Sequence, residues 1–228
     1  MTTLNFEIGE GTDTGFRGYL AGSPLADRLL IVLQEIYGVN GEVRRVADEF
    51  ARRGYGVLAP DLFWRVSPGA VFDYSERDAA RDAITQIPAG DLVQDIRHAA
   101  ARLKAWRGAG VRVGVLAFGW GGQHALAAST DDLFAAASLY YPGNLESRVA
   151  SIAAAKPPLQ FHFSTIDFRT PPDLRAQVRD ILTDRATSEL HLYDGVDHGF
   201  ANRSRPEYDR DAAALADRRT VEFLARYV

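Results

Sequence analysis

Short apolar runs alternate with segments of helical spacing along most of the chain. Residues 29–33 form an unbroken apolar run, which is typical of a strand buried on both faces. Residues 41–53 have apolar positions at helical spacing, and Gly54 follows as a helix stop. The same alternation predicts further strands and helices; the strands are 56–59, 111–116, 134–140, 159–163 and 189–192, and the helices are 91–106, 122–129 and 207–227.

This alternation predicts an α/β fold with a mainly parallel central sheet and helices on both faces. Residues 4–8 and 16–20 precede it and look like two short antiparallel strands. No internal repeat or low-complexity linker interrupts the pattern, so we expect a single domain over residues 1–228. Ligands of such sheets bind at the carboxyl ends of the strands. The chemistry is therefore expected just after residues 33, 116, 163 and 192.

Composition narrows the classes of function. Of 228 residues, 46% are hydrophobic and 25% charged, which is ordinary for a globular protein. A net charge of −4 does not favour nucleic-acid binding, and no apolar stretch is long enough for a membrane span. The chain has no cysteine, which excludes disulfides, thiolate zinc sites and a cysteine nucleophile. With no signal-peptide pattern at the N-terminus, we expect a cytoplasmic protein.

Each of the four strand ends carries a chemically notable residue or turn. Glu35 follows the first apolar run, and a carboxylate buried there is costly unless it is paired. Residues 117–122, AFGWGG, form a small-residue turn between a strand and a helix. Asp167 and His198 follow the last two strands. An acid and then a histidine downstream of such a turn is the chain order of α/β-hydrolase triads. Each feature alone also has a structural interpretation: a tight turn for 117–122, a turn or surface position for Asp167 and His198, and a structural carboxylate for Glu35.

No cofactor or metal site is expected. The histidines lack ligand spacing such as H-E-x-x-H, and no glycine-rich phosphate loop of the P-loop or dinucleotide type is present. Aromatic residues near the strand ends are candidates for either a substrate pocket or ordinary core; they are Phe118, Trp120, Tyr37, Phe63, Trp64 and Phe72.

Together these segments resemble the dienelactone hydrolase family. The resemblance runs from about Leu33 to Leu224 and rests on several motifs; these are QEIYGVN at 34–40, APDLF at 59–63, SPGAVFD at 67–73, the acid loop at 164–171, GVDHGFAN at 195–202 and AAALADRRTVEFL at 212–224. The family's fold is the α/β-hydrolase fold, in agreement with the pattern of strands and helices. The activity that it implies is hydrolysis of a small-molecule ester or lactone by a monomer or small homo-oligomer.

The resemblance also implies roles for individual residues. His198 is the implied general base, and Asp167 holds it in one tautomer. The backbone N–H groups of Trp120 and Ile36 are the implied oxyanion hole. Glu35 is the implied carboxylate that controls the protonation of the nucleophile.

Residues for substrate binding follow less directly from the resemblance. Tyr37, Arg81 and Arg203 are candidates for contacting the substrate, the two arginines for binding its carboxylate. Both arginines are off-register, and a solvated surface position is the alternative for each. The family's usual arginine after the histidine corresponds to Asn202 here.

The chain departs from the family at the turn itself. Where the family has its cysteine nucleophile, this sequence has Gly119, which has no side chain to attack a carbonyl. Three explanations stay open: an active-site substitution in a working hydrolase, a natural hydrolase in which His198 activates water directly, or a non-catalytic binding protein.

Two contacts are predicted from these assignments. Asp167 and His198 should be hydrogen-bonded, with the other ring nitrogen of the histidine facing the space beside Gly119. Glu35 should bind an arginine, a tyrosine or a backbone N–H near the turn, because a buried carboxylate needs a partner.

Overall fold

Eight strands form one sheet in the computed structural model, which describes residues 4–7, 16–108 and 110–228. In chain order they are β1 (Leu4–Glu7), β2 (Arg17–Ala21), β3 (Arg28–Leu33), β4 (Tyr55–Pro60), β5 (Arg112–Phe118), β6 (Ala136–Tyr140), β7 (Leu159–Ser164) and β8 (Glu189–Tyr193). Their spatial order is β1-β2-β4-β3-β5-β6-β7-β8. The pairs β1/β2 and β2/β4 are antiparallel, and every pair from β4 to β8 is parallel. The predicted mainly parallel sheet is confirmed.

Seven α-helices accompany the described strands. They are α1 (Gly41–Arg52), α2 (Arg77–Thr85), α3 (Ala89–Arg107), α4 (Trp120–Ala128), α5 (Val149–Ala154), α6 (Pro172–Thr183) and α7 (Arg210–Tyr227). Helix α1 begins where the Asn40 side chain accepts the N–H groups of Glu42 and Val43. Asp209 caps α7 in the same way, which is why this helix begins three residues later than the predicted 207–227.

Side chains of β3 explain the unbroken apolar run. Leu29, Ile31 and Leu33 point into one apolar cluster, which also contains residues of α3 and α4. Leu30 and Val32 point into a second cluster, shared with α1 and α7. Because successive side chains of a strand alternate between faces, a central strand covered on both sides must be apolar at every position.

Sequence patterns missed α2, α5 and α6. Helix α2 buries only Ala80 and Ala83, so its sequence lacks the broad apolar stripe by which a helix is recognised. The predicted strand at 134–140 begins instead at Ala136. Ile8, at the end of the predicted first strand, lies outside the described residues. Within the described part of the chain, no helix is long and apolar enough to cross a membrane.

His124 lies in α4, is 3% exposed and meets Trp120 edge-on at a distance of 5.0 Å between ring centroids. Neither ring nitrogen has a hydrogen-bond partner among the described residues. Burial, with the nearby charge of Arg148, lowers the pKa of His124 from 6.5 to about 4. The neutral ring is therefore the form that the folded protein accommodates.

Acid should destabilise the protein through this histidine. Because the unfolded chain binds a proton near pH 6.5 and the folded chain does not, stability is complete above pH 6.5 and falls as the pH drops towards 4. When the pH falls from 7 to 4.5, we expect the free energy of unfolding to fall by about 2–3 kcal/mol more in the parent than in His124→Phe. Urea unfolding at both pH values measures this, with the exposed His98→Gln as control. Equal losses in parent and His124→Phe would contradict the assignment.

Candidate active site

Gly119 stands at the sharp turn between β5 and α4. Its backbone has φ 49° and ψ −115°, a conformation that residues with a side chain rarely adopt. Its N–H donates to the carbonyl of Tyr140 at 3.0 Å, and its own carbonyl accepts the N–H groups of Gly122 and Gly143. The turn thus has the strained strand-to-helix geometry of a nucleophile elbow.

Two glycines after the elbow allow close packing of the backbone. A Cβ on Gly121 would lie 2.6 Å from the carbonyl oxygen of Gln34, and one on Gly122 would lie 2.6 Å from Cβ of Pro142. A Cβ on Gly119, by contrast, would have ordinary contacts, all at 3.6 Å. The site therefore has room for a side chain at residue 119 and none at the next two glycines.

Gly121→Ala should destabilise the protein by about 1–3 kcal/mol, because the clashing Gln34 oxygen belongs to the backbone and must move with the end of β3. Gly90→Ala in α3 is the matched control: its Cβ meets nothing within 4 Å, and alanine favours helix. Chemical unfolding of both variants measures the difference. A Gly121→Ala protein as stable as Gly90→Ala would show that the elbow is not tightly packed.

Asp167 and His198 form the predicted pair. The Nδ1 atom of His198 lies 2.8 Å from Oδ2 of Asp167, which is 2% exposed. Burial raises the pKa of Asp167, but hydrogen bonds from His198 and Arg169 outweigh it, so the net pKa is lowered and the carboxylate is charged at neutral pH. Nε2 of His198 faces the elbow, 3.6 Å from the position of a Cβ on Gly119. The predicted geometry is confirmed.

Glu35 lies on the other side of the same position and is 6% exposed. One carboxylate oxygen accepts Nδ2 of Asn202 at 3.0 Å, and the other, Oε1, pairs with Nη1 of Arg205 at 3.4 Å. Oε1 is also 3.6 Å from the Cβ position of residue 119. The predicted arginine partner is present, and the amide of Asn202 adds a second partner that the sequence did not reveal.

A pocket of about 300 Å³ opens in front of the elbow. Of the residues predicted for substrate contact, it contains Tyr37 and Arg81, and both oxyanion candidates, Ile36 and Trp120, line it as well. Arg203 does not line it, contrary to expectation: this side chain lies over a separate crevice beside α1 and α7, paired with Glu49 at 3.4 Å.

The pocket is also lined by three arginines that the sequence analysis did not single out; they are Arg77, Arg169 and Arg205. Arg77 and Arg81 lie four residues apart on α2 and so share a face. The four-residue spacing is visible in the sequence, but it places the two arginines on one face only if the segment is helical, and no helix was predicted there. Of the described residues that line this pocket, Glu35 alone is acidic.

The other aromatic candidates belong to the core or to another surface. Phe63 stacks on Trp120 at 6.0 Å and meets Phe72 edge-on, while Trp64 stacks on Phe16. Phe118 lines the crevice beside α1 and α7. In the part of the chain that the structure describes, no group of histidine and acidic residues has the arrangement of a metal site.

Similarity to known proteins shows the family of this chain. The model of the Dienelactone hydrolase family matches residues 16–228. The chain belongs to the dienelactone hydrolase family. A relative in that family, carboxymethylenebutenolidase 1 of Cupriavidus pinatubonensis, is 30% identical over 99% of this chain and 97% of its own length. Carboxymethylenebutenolidase of Pseudomonas putida is 29% identical over 91% and 90%.

The α/β-hydrolase fold of this dienelactone hydrolase family member is shared by solved structures. A Klebsiella pneumoniae protein provisionally named a dienelactone hydrolase superposes with a TM-score of 0.84, covering 99% of both chains at 23% identity. The dienelactone hydrolase of Anabaena variabilis has a TM-score of 0.71 at 16% identity, covering 100% of this chain and 97% of its own. At these identities the superpositions support the fold alone.

Proposed function

We propose that this chain hydrolyses a small ester or lactone with water as the direct nucleophile, in place of a side chain at residue 119. The observation that carries the proposal is the position of a Cβ on Gly119, which is 3.6 Å from both Nε2 of His198 and Oε1 of Glu35. A water beside that position has a base on one side and a carboxylate on the other. Glycine leaves the space for it.

The chemistry follows from the arrangement of the pair. Asp167 accepts the hydrogen bond from Nδ1 of His198, which leaves Nε2 free to act as a base. Nε2 accepts a proton from the water while the oxygen of that water attacks the substrate carbonyl. The backbone N–H groups of Trp120 and Ile36 are the proposed donors to the oxyanion, with Trp120 in the first turn of α4. His198 then returns the proton to the leaving alkoxide, and acid and alcohol are released.

Charge in the pocket favours an anionic substrate. Four arginines line it against one carboxylate, Glu35, which is already paired with Arg205. A pocket lined by one sign of charge concentrates ligands of the opposite sign. We therefore propose an ester or lactone that also carries a carboxylate.

Arg81→Gln tests this specificity. We expect roughly a 3–10-fold higher KM for a carboxylate-bearing ester and little change for a neutral ester of the same size, because an exposed arginine contributes only modest attraction. Arg203→Gln, outside the pocket, is the matched control. An equal effect on both esters would argue against carboxylate recognition by Arg81.

A non-catalytic binding protein is the second candidate, and the absence of a side chain at Gly119 favours it. Turnover of p-nitrophenyl acetate and of a dienelactone, with intact-protein mass spectrometry during turnover, separates the candidates. Turnover without an acyl adduct supports direct attack by water. Binding without turnover supports the binding protein, and a stable adduct would contradict both. Comparison with the natural coding sequence decides whether glycine is native at residue 119.

A further inference from the structure

Tyr141, directly after β6, combines an unusual backbone conformation with a fully buried side chain beside the site. Its φ of 37° is in the left-handed region that non-glycine residues avoid, and its side chain is fully buried. Its backbone N–H donates to the carbonyl of His162 at 2.8 Å, which fixes the turn. Such strain persists where the surrounding structure determines it, and it concentrates at functional sites.

The ring of Tyr141 packs on the histidine of the catalytic pair. Its centroid is 4.9 Å from that of the His198 ring, and Phe200 meets it edge-on at 5.6 Å. The hydroxyl, however, has no hydrogen-bond partner among the described residues. Buried hydroxyls without a partner are rare and call for an explanation.

A small cavity beside Glu35 explains how the hydroxyl of Tyr141 can have a partner. It has a volume of about 20 Å³ and lies between Glu35, Tyr141 and the start of α1. Its polar lining is Glu35, Tyr141, Asn40, Glu42 and Asn202. The apolar residues Val43, Val46, Phe118 and Ala201 complete the lining. A cavity of this size has room for one water, and the polar side chains offer the two to four partners that a buried water needs.

The hydroxyl of Tyr141 is protonated and can therefore donate a hydrogen bond towards a carboxylate. Burial, and next the charge of Glu35, raise the pKa of Tyr141 well above its ordinary value. The phenol therefore keeps its proton at neutral pH. Among the described residues, the direct partners of Glu35 are Asn202 and Arg205, so its oxygens retain capacity for another hydrogen bond.

We infer that Tyr141 is a positioning residue, whose ring supports His198 and whose hydroxyl holds Glu35 through one water in the cavity behind it. The two groups that flank residue 119 are then fixed by a single side chain. The catalytic meaning of this contact rests on the proposed function; the water and its two partners do not.

Tyr141→Phe removes the hydroxyl and keeps the ring. Crystal structures of the parent and the variant, at a resolution that shows ordered waters, test the contact directly. In the parent we expect one water within hydrogen-bond distance of both Oη of Tyr141 and a carboxylate oxygen of Glu35. In the variant we expect this water to be lost or displaced and the carboxylate of Glu35 to shift.

Two solution measurements accompany the structures. Loss of a satisfied hydroxyl should lower the melting temperature by roughly 2–4 °C. On an ester substrate, kcat should fall roughly 3–10-fold with KM within about twofold, since positioning acts on the transition state. Tyr193→Phe is the matched control: it removes another buried phenol, bonded to His162, and should lower stability without changing kcat.

A dry cavity in the parent, or a Tyr141→Phe protein that melts higher than the parent, would overturn the inference. If kcat fell equally in Tyr193→Phe, the effect on turnover would reflect a general loss of stability, and this result would also overturn the inference. If the parent hydrolyses no ester, the proposed function fails, and the crystal structures and melting temperatures alone decide the role of Tyr141.

Discussion

Gly119→Cys should raise ester hydrolysis by roughly 10²–10⁴-fold, a range set by what a nucleophile and its base add over the rest of a site. The Cβ fits, because its nearest neighbours would be 3.6 Å away. The sulfur would stand at the N-terminus of α4 and beside His198, and both surroundings lower the pKa of a cysteine thiol. The thiolate would attack the carbonyl and form an acyl-enzyme, which intact-protein mass spectrometry detects.

Gly119→Ala is the matched control for this gain. It introduces the same Cβ and the same backbone restriction at φ 49°, but no nucleophile. We expect its activity to fall below that of the parent, since the methyl group occupies the space for water between Glu35 and His198. A folded cysteine variant with no turnover would show that the pocket does not support hydrolysis. An alanine variant as active as the parent would exclude the water beside Gly119.

Asp167→Asn should lower kcat by roughly 10³–10⁴-fold, measured in the Gly119→Cys background, where turnover is largest. The carboxylate accepts from Nδ1 at 2.8 Å and stabilises the charged ring, whereas an amide is neutral and its NH2 group can donate to Nδ1 instead. Without that bond, the proton can move to Nε2, and the histidine no longer acts as a base towards residue 119. KM should change far less than kcat, because Asp167 is not part of the pocket lining.

Asp194→Asn controls for the loss of an acid in a neighbouring loop. Asp194 accepts the hydroxyl of Thr165 at 3.1 Å on the exposed surface and does not contact His198. Its replacement should leave kcat within about twofold. If Asp167→Asn were equally mild, His198 would not depend on this carboxylate, and the assignment of the catalytic pair would be wrong.

The central part of the site could be predicted because each residue follows a strand that the apolar pattern reveals. In a parallel sheet the carboxyl ends of strands share one edge, so Glu35 after β3, the elbow after β5, Asp167 after β7 and His198 after β8 had to converge. Hydrophobic periodicity thus indicated both the fold and the place of the chemistry.

The pocket wall could not be predicted in the same way. Arg77 and Arg81 lie on α2, whose narrow buried face of two alanines gives no periodic signal. Arg205 reaches Glu35 from an irregular loop, whereas Arg203, two residues earlier, turns towards Glu49. Loop direction depends on contacts such as Gly199, where a Cβ would lie 2.6 Å from Nε of Arg205, and no spacing rule encodes those contacts.

The most direct test of the proposed hydrolysis by water is to compare kcat/KM of the parent chain and of His198→Ala on one carboxylate-bearing ester. General-base catalysis by a positioned histidine contributes roughly 10²–10⁴-fold, so we expect the parent to exceed the variant by at least about 100-fold. The parent protein should show no acyl adduct during turnover. Equal kcat/KM values in two folded proteins, or no turnover by either, would contradict the proposal.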